Sequence, residues 1–115
     1  MITKLKSNEI FIAGSNLLGH HLGGAARQAY EDFRAEWGIG EGLTGQSYMF
    51  PTLGEDMQKL PIERLELARD RLYKCAKESP DKIFLLTRVG RGIAGQDPLV
   101  MENLFKDLPD NIKQI

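Results

Sequence analysis

The sequence predicts a single three-layer α/β/α domain with a mostly parallel sheet, on three observations. Short apolar runs rich in β-forming residues alternate with amphipathic helical patterns, the alternation that sets parallel strands between helices. The runs end in glycine-bearing loops, and the clearest helix is led by a proline. With 115 residues the chain can bury one core, and residues 1–115 are read as one domain.

The first run, residues 10–13, stops at Gly14-Ser15-Asn16 and reads as a strand buried on both faces. A helix is expected over residues 25–36, starting near Gly23-Gly24, because Ala26, Ala29, Tyr30 and Phe33 recur at spacings of three and four with charges between them. Trp37 and a glycine cluster at 38–45 follow, and the 40–45 part reads as a connector. Residues 47–50, leading to Pro51, form a second strand pattern, and 54–59 look like exposed loop. Pro61 is well placed in the first turn of a helix that carries Ile62, Leu65, Ala68, Leu72 and Ala76 on one face and stops at Ser79-Pro80-Asp81. Residues 83–86 read as a third buried strand. Asp97 is the expected N-cap of a short helix to about Phe105, and 108–115 suggest a turn and a brief last strand.

Composition removes several classes of function. A net charge of -1 disfavours general nucleic-acid binding, which needs a surplus of cations to displace counterions. Cys75 is the only cysteine, so there is neither a disulfide framework nor a thiolate metal site; its place in a helical pattern makes it a small core residue. No apolar segment has signal-peptide or membrane-span length, so no membrane partner is expected and a cytoplasmic location is the default. His20 and His21 are adjacent and should point apart, with no acidic or cysteine cluster at metal spacing; no metal and no cofactor are expected.

Glycine carries the functional signal. Eleven of the twelve glycines fall at 14–24, 38–45 and 90–95. Gly90-x-Gly92-x-x-Gly95 has the spelling of a dinucleotide fingerprint, and Gly40-x-Gly42-x-x-Gly45 repeats it, each followed by a glutamine. Neither passes the test for that site. In the first the chain ends about where the acidic residue ~20 positions on, at the tip of the next strand, is expected, and the second lies between a helix and a strand in the wrong order. The underlying physics remains: bare backbone lets N–H groups approach an anion, and a helix start adds partial positive charge. In an open α/β sheet the ligand crevice lies beyond the carboxyl ends of the strands. The candidate ligand-binding residues are therefore Gly14, Ser15 and Asn16 after the first strand, His21, Gly23 and Gly24 at the first helix start, and Arg88, Gly90, Arg91, Gly92, Ile93, Ala94 and Gly95 after the third. Asn16 can contact a ribose or cap its own turn, and Arg88 and Arg91 can pair with phosphate. No catalytic residue is assigned, since Glu41 and Asp97 have no evident acid/base partner.

The stretches "IFIAGSNLLGHHLGGAARQAY", "GEGLTGQSYMFPT" and "TRVGRGIAGQDP" resemble a small family of bacterial and phage proteins that share a GSN loop, a Gly-Ala-Ala helix start, a GQSY-to-Pro-Thr strand and a Gly-x-Gly-x-Ala-Gly loop. The likeness covers most of residues 9–98. More distantly the order of these features is similar to that of macro domains, α/β modules that bind ADP-ribose and related nucleotides. Ala13 and Asn16 with Gly23-Gly24-Ala25 match the end of their first strand and the helix start, and residues 90–95 match their diphosphate loop. The chain departs from them in its shorter length, in the lack of a continuous glycine triplet, and in having no acidic residue near the first strand to contact adenine. The resemblance implies binding of a nucleotide or ADP-ribose-like small molecule through glycine-rich phosphate loops, with hydrolysis by a water held by Asn16 or a histidine as an extension. Two alternatives stand beside it: a protein-interaction module of phage or bacterial origin whose glycines only make turns, and an enzyme using His20 or His21 as general base. The oligomeric state is left open.

Overall fold

The computed structural model describes residues 2–90 and 94–115. Over them the chain runs β1 (Glu9–Asn16), α1 (Gly24–Asp32), β2 (Gly42–Thr44), β3 (Ser47–Leu53), α2 (Ile62–Glu78), β4 (Ile83–Leu86), α3 (Pro98–Leu104) and β5 (Ile112–Gln114). These strands make one five-stranded sheet in the order β2-β3-β1-β4-β5, parallel except for the antiparallel edge pair of β2 and β3. The expected α/β domain with a mostly parallel sheet is what the chain forms.

Side-chain alternation along the central strands builds a core on each face of the sheet. Ile10 and Ile12 of β1, with Tyr48 and Phe50 of β3 and Phe84 and Leu86 of β4, pack against Leu65, Ala68 and Leu72 of α2 and Met101 and Leu104 of α3. The intervening Phe11, Ala13 and Met49 pack against Ala26, Ala29 and Phe33 on the α1 side. Phe11 and Phe33 meet with ring centroids 4.8 Å apart. Burial on both faces explains why the strand sequences are nearly continuous apolar runs.

Five expectations need correction. β1 continues past Ala13 to Asn16, because Gly14 and Ser15 pair with Phe50 and Pro51 of β3. β3 likewise runs through Pro51 to Leu53. The proline is tolerated because β2 pairs only with Ser47, Tyr48 and Met49, so its missing N–H lies beyond the end of that ladder. Helix α1 stops at Asp32, well short of residue 36, since Arg34 turns into the left-handed region at φ 62°. Tyr30, expected on the buried face of α1, is 45% exposed and lies edge-on to Trp37. The 40–45 connector contains β2, a three-residue edge strand.

The other elements stand where expected, except that Ile62, expected on the apolar face of α2, is 42% exposed. Pro61 is the N-cap of α2, and Asp97 caps α3 by accepting a hydrogen bond from the Leu99 N–H. Cys75 is packed against the α2 core, and burial pushes its thiol above the ordinary range. No helix among the described residues is long and apolar enough to cross a membrane.

The C-terminal end of α2 depends on one side chain. Asn111 Nδ2 donates to the carbonyls of Ala76, Ser79 and Lys82 at 2.8, 3.1 and 3.0 Å, satisfying the carbonyl groups at the end of the helix and in the turn into β4. Asn111→Ala leaves them without that partner and is expected to cost about 1–3 kcal/mol. Urea unfolding should show a lower midpoint with an unchanged slope.

Candidate functional site

The strand order places the site. β1 has β3 on one side and β4 on the other, so the chain reverses its direction of winding at β1, and the crevice opens over the carboxyl ends of these strands. A cavity of about 280 Å³ lies there. Gly14, Ser15 and Asn16 from β1 face it from one side, and Thr87, Arg88, Val89 and Gly90 after β4 from another. The first turn of α1, from Gly23 to Ala26, supplies a third wall, with Leu53 and Met57 from the end of β3 and the loop after it. Two of the three glycine clusters thus meet at one cavity.

Gly14 allows that meeting. A Cβ added there would lie 3.3 Å from the backbone N of Gly90 and 3.4 Å from Val89 Cβ, so strand end and turn are as close as backbone permits. Helix α1 begins with Gly23 as N-cap and no side-chain cap hydrogen bond, which leaves its first N–H groups available where Gly24, Ala25 and Ala26 face the cavity. No acidic residue lies in that turn.

The polar side chains along the cavity are engaged elsewhere. The Ser15 hydroxyl donates to the Gly40 carbonyl, Thr52 Oγ1 to the Ser15 carbonyl at 3.2 Å, and Thr87 Oγ1 to the Ile12 carbonyl at 2.7 Å. Asn16 uses both ends of its amide on one residue: Nδ2 donates to the His20 carbonyl at 2.8 Å, and Oδ1 accepts from the His20 N–H at 3.1 Å. Asn16 therefore shapes the loop after β1. The lining residues whose side chains make no hydrogen bond among the described residues include Arg88 and His20, and the backbone N–H groups stand beside them. Arg88 makes no ion pair among the described residues, and no carboxylate lines the cavity there.

The histidines do point apart, and the structure puts His20 on the cavity wall where the sequence reading chose His21. His21 is 2% exposed, its Nε2 hydrogen-bonded to the Glu36 carbonyl at 2.9 Å and its ring among Tyr30 and Trp37. His21 Nδ1 has no hydrogen-bond partner among the described residues. Ala94 lines the cavity with Gly90, and Gly95 lies just outside it, with Lys59 Nζ 3.8 Å from the position its Cβ would take. Arg91, Gly92 and Ile93 lie outside the described residues.

Sequence reasoning missed several residues around the glycine turn. The Gln96 N–H donates to the Gly90 carbonyl at 2.7 Å, and Gln96 Nε2 reaches the carbonyls of Thr52 and Leu60 at 3.2 and 3.3 Å, fastening the turn to the end of β3. Met57 and Lys59 belong to a loop that folds back through an isolated bridge between Leu53 and Lys59. Only the shared Gly-Gln pair in the two glycine motifs hinted at this. In the other copy Gln46 does the same work, donating to the carbonyls of Lys6 and Glu9 at 3.1 and 3.3 Å.

The ionisable groups most displaced by the fold lie elsewhere. Burial raises the phenol of Tyr48 and pushes that of Tyr73 up to about 12. The hydrogen bonds to Glu41, at 2.6 and 3.0 Å, hold Arg71 above its usual range and tie the 38–45 segment to α2. None of these groups lines the cavity. Among the described residues no set of three or more His, Cys, Asp or Glu is gathered to hold a metal ion. The chain matches no family model, no curated protein and no solved structure.

Proposed function

We propose that the chain binds a nucleotide or an ADP-ribose-like molecule, with phosphate held between the start of α1 and Gly90 after β4. One observation carries the reading: two sources of backbone N–H groups converge on a cavity at the switch point of the sheet, where the polar side chains are largely engaged with neighbouring backbone and no carboxylate among the described residues repels an anion. Backbone N–H groups and a helix start favour phosphate oxygens over neutral ligands. Arg88 adds a cation at the rim. The cavity volume of about 280 Å³ is at the lower end for small-molecule sites, which suits one nucleoside phosphate unit.

The same features support kinship with macro domains. The end of β1, the glycine-led α1 and Gly90 after β4 follow one another along the chain in the order that the resemblance implies, and all three line the cavity. Binding is favoured over hydrolysis because Asn16, the side chain best placed to hold a water, has its amide on the His20 backbone.

Calorimetry and thermal unfolding of the full chain with ADP-ribose, AMP and ribose 5-phosphate test the proposal. A probe at about a hundred times its dissociation constant should stabilise the fold by ~2.7 kcal/mol, or on the order of 10 °C for a domain of this size. Absence of heat and of any shift with all three would reject it.

A further inference from the structure

We propose that the ring of His20, backed by Trp37, is the seat for the heteroaromatic base of the bound nucleotide; the inference rests on the nucleotide reading and adds which part of the ligand goes where. His20 lines the cavity, and its ring is stacked on that of Trp37 with centroids 5.2 Å apart and planes 18° from parallel. Trp37 is in turn met edge-on by Tyr30 at 5.6 Å and by the buried His21 at 5.8 Å. One face of the imidazole is thus covered by an indole whose own position is fixed by two more rings.

The backbone holds this arrangement without a ligand. Asn16 binds both the N–H and the carbonyl of His20, the Leu22 N–H donates to the same carbonyl at 3.0 Å, and the Gly38 N–H, one residue after Trp37, donates to the Gly19 carbonyl at 2.9 Å. The loops carrying the two stacked rings are therefore joined to each other and to the end of β1. A flat ring entering the cavity meets a preformed aromatic surface and does not have to order it, which is the condition under which stacking adds to affinity. Leu22, 64% exposed at the rim, offers apolar surface beside it. The phosphate end lies on Gly90 and the start of α1, which line the same cavity as His20. Because stacking uses the π-face that every base has, and no carboxylate among the described residues lines the cavity to read an exocyclic amine, the seat accepts bases broadly.

The test compares AMP with ribose 5-phosphate, which differ by the base alone, using calorimetry on the full chain. Trp37 is the only tryptophan, so its emission reports the same event. AMP should bind about tenfold or more tighter than ribose 5-phosphate and change Trp37 emission with the same dissociation constant. His20→Ala should remove the preference while leaving ribose 5-phosphate affinity within about twofold, and His20→Phe should keep it. The loop bonds to residue 20 use its backbone, so both variants retain them. Equal binding of the two probes by the wild-type chain, or an undiminished preference in His20→Ala, overturns the base seat while the phosphate site stands. Failure of both probes to bind overturns the nucleotide reading and this inference with it.

Discussion

Gly45→Ala is expected to destabilise the fold by about 3 kcal/mol or more. Gly45 has φ 59°, and a Cβ there would sit 2.3 Å from the Arg34 carbonyl oxygen and 2.6 Å from Arg34 Cβ. Neither neighbour can retreat easily. The Gln46 N–H and the Ser47 hydroxyl both donate to the Phe33 carbonyl, and the Glu36 N–H donates to Thr44 Oγ1 at 2.8 Å, so the two segments are sewn together on either side of the contact. The left-handed conformation costs alanine about 1–2 kcal/mol, and forcing backbone apart typically adds about 1–3 kcal/mol. Gly42→Ala separates the two effects: its φ is 96° but nothing lies within 4 Å of the added Cβ, so only the conformational cost of about 1 kcal/mol should appear. Urea denaturation of both variants checks this, and equal midpoints would refute the steric part.

The pair of glycine motifs shows what the sequence could and could not reveal. Both copies end in a left-handed glycine, Gly45 at φ 59° and Gly95 at φ 62°, followed by a glutamine whose amide binds backbone carbonyls. The common spelling encodes a turn and a fastening. Its functional difference comes from position: Gly90 and Ala94 lie at the carboxyl end of β4 on the cavity, whereas Gly45 and Gln46 precede β3 at the opposite end of the sheet. That distinction was legible, since the order of strand, motif and helix can be read from apolar runs. The strands and α2 were legible for the same reason, as burial on both faces and a helical stripe each leave a periodic trace.

Features set by single dihedrals or by distant loops left no such trace. Nothing in the residue types tells which of two adjacent histidines faces the cavity; the path of the loop after Asn16, fixed by its amide on His20, decides it. The end of α1 follows from Arg34 adopting a conformation that arginine seldom takes. β2 is three residues long and begins with glycine, too short for alternation to register. Met57 reaches the cavity and Lys59 reaches Gly95 only because the loop after β3 folds back, a tertiary event with no local pattern.

Gly14→Val should abolish most of the binding while leaving a folded chain. The position lies in β1 opposite Phe50 of β3, with the turn after β4 pressed against it. A Cβ alone is met at 3.3 Å by Gly90 N and at 3.4 Å by Val89 Cβ, so alanine needs a shift of a few tenths of an ångström and should bind AMP nearly as well as wild type. Valine adds two γ-methyls that cannot be placed without driving the 89–90 turn away from the strand. That displacement moves the Gly90 N–H out of line with the start of α1, and a phosphate can then be held by one loop only. Losing that charge-assisted hydrogen bond, at about 1.5–3 kcal/mol, corresponds to roughly tenfold to a hundredfold weaker binding. The stability cost of the overpacking is about 1–3 kcal/mol, which a domain of typical stability survives. Calorimetry with AMP, run beside urea unfolding of the same samples, keeps the two effects apart. A stable Gly14→Val chain that binds AMP as tightly as wild type would mean that the turn after β4 takes no part in holding the ligand.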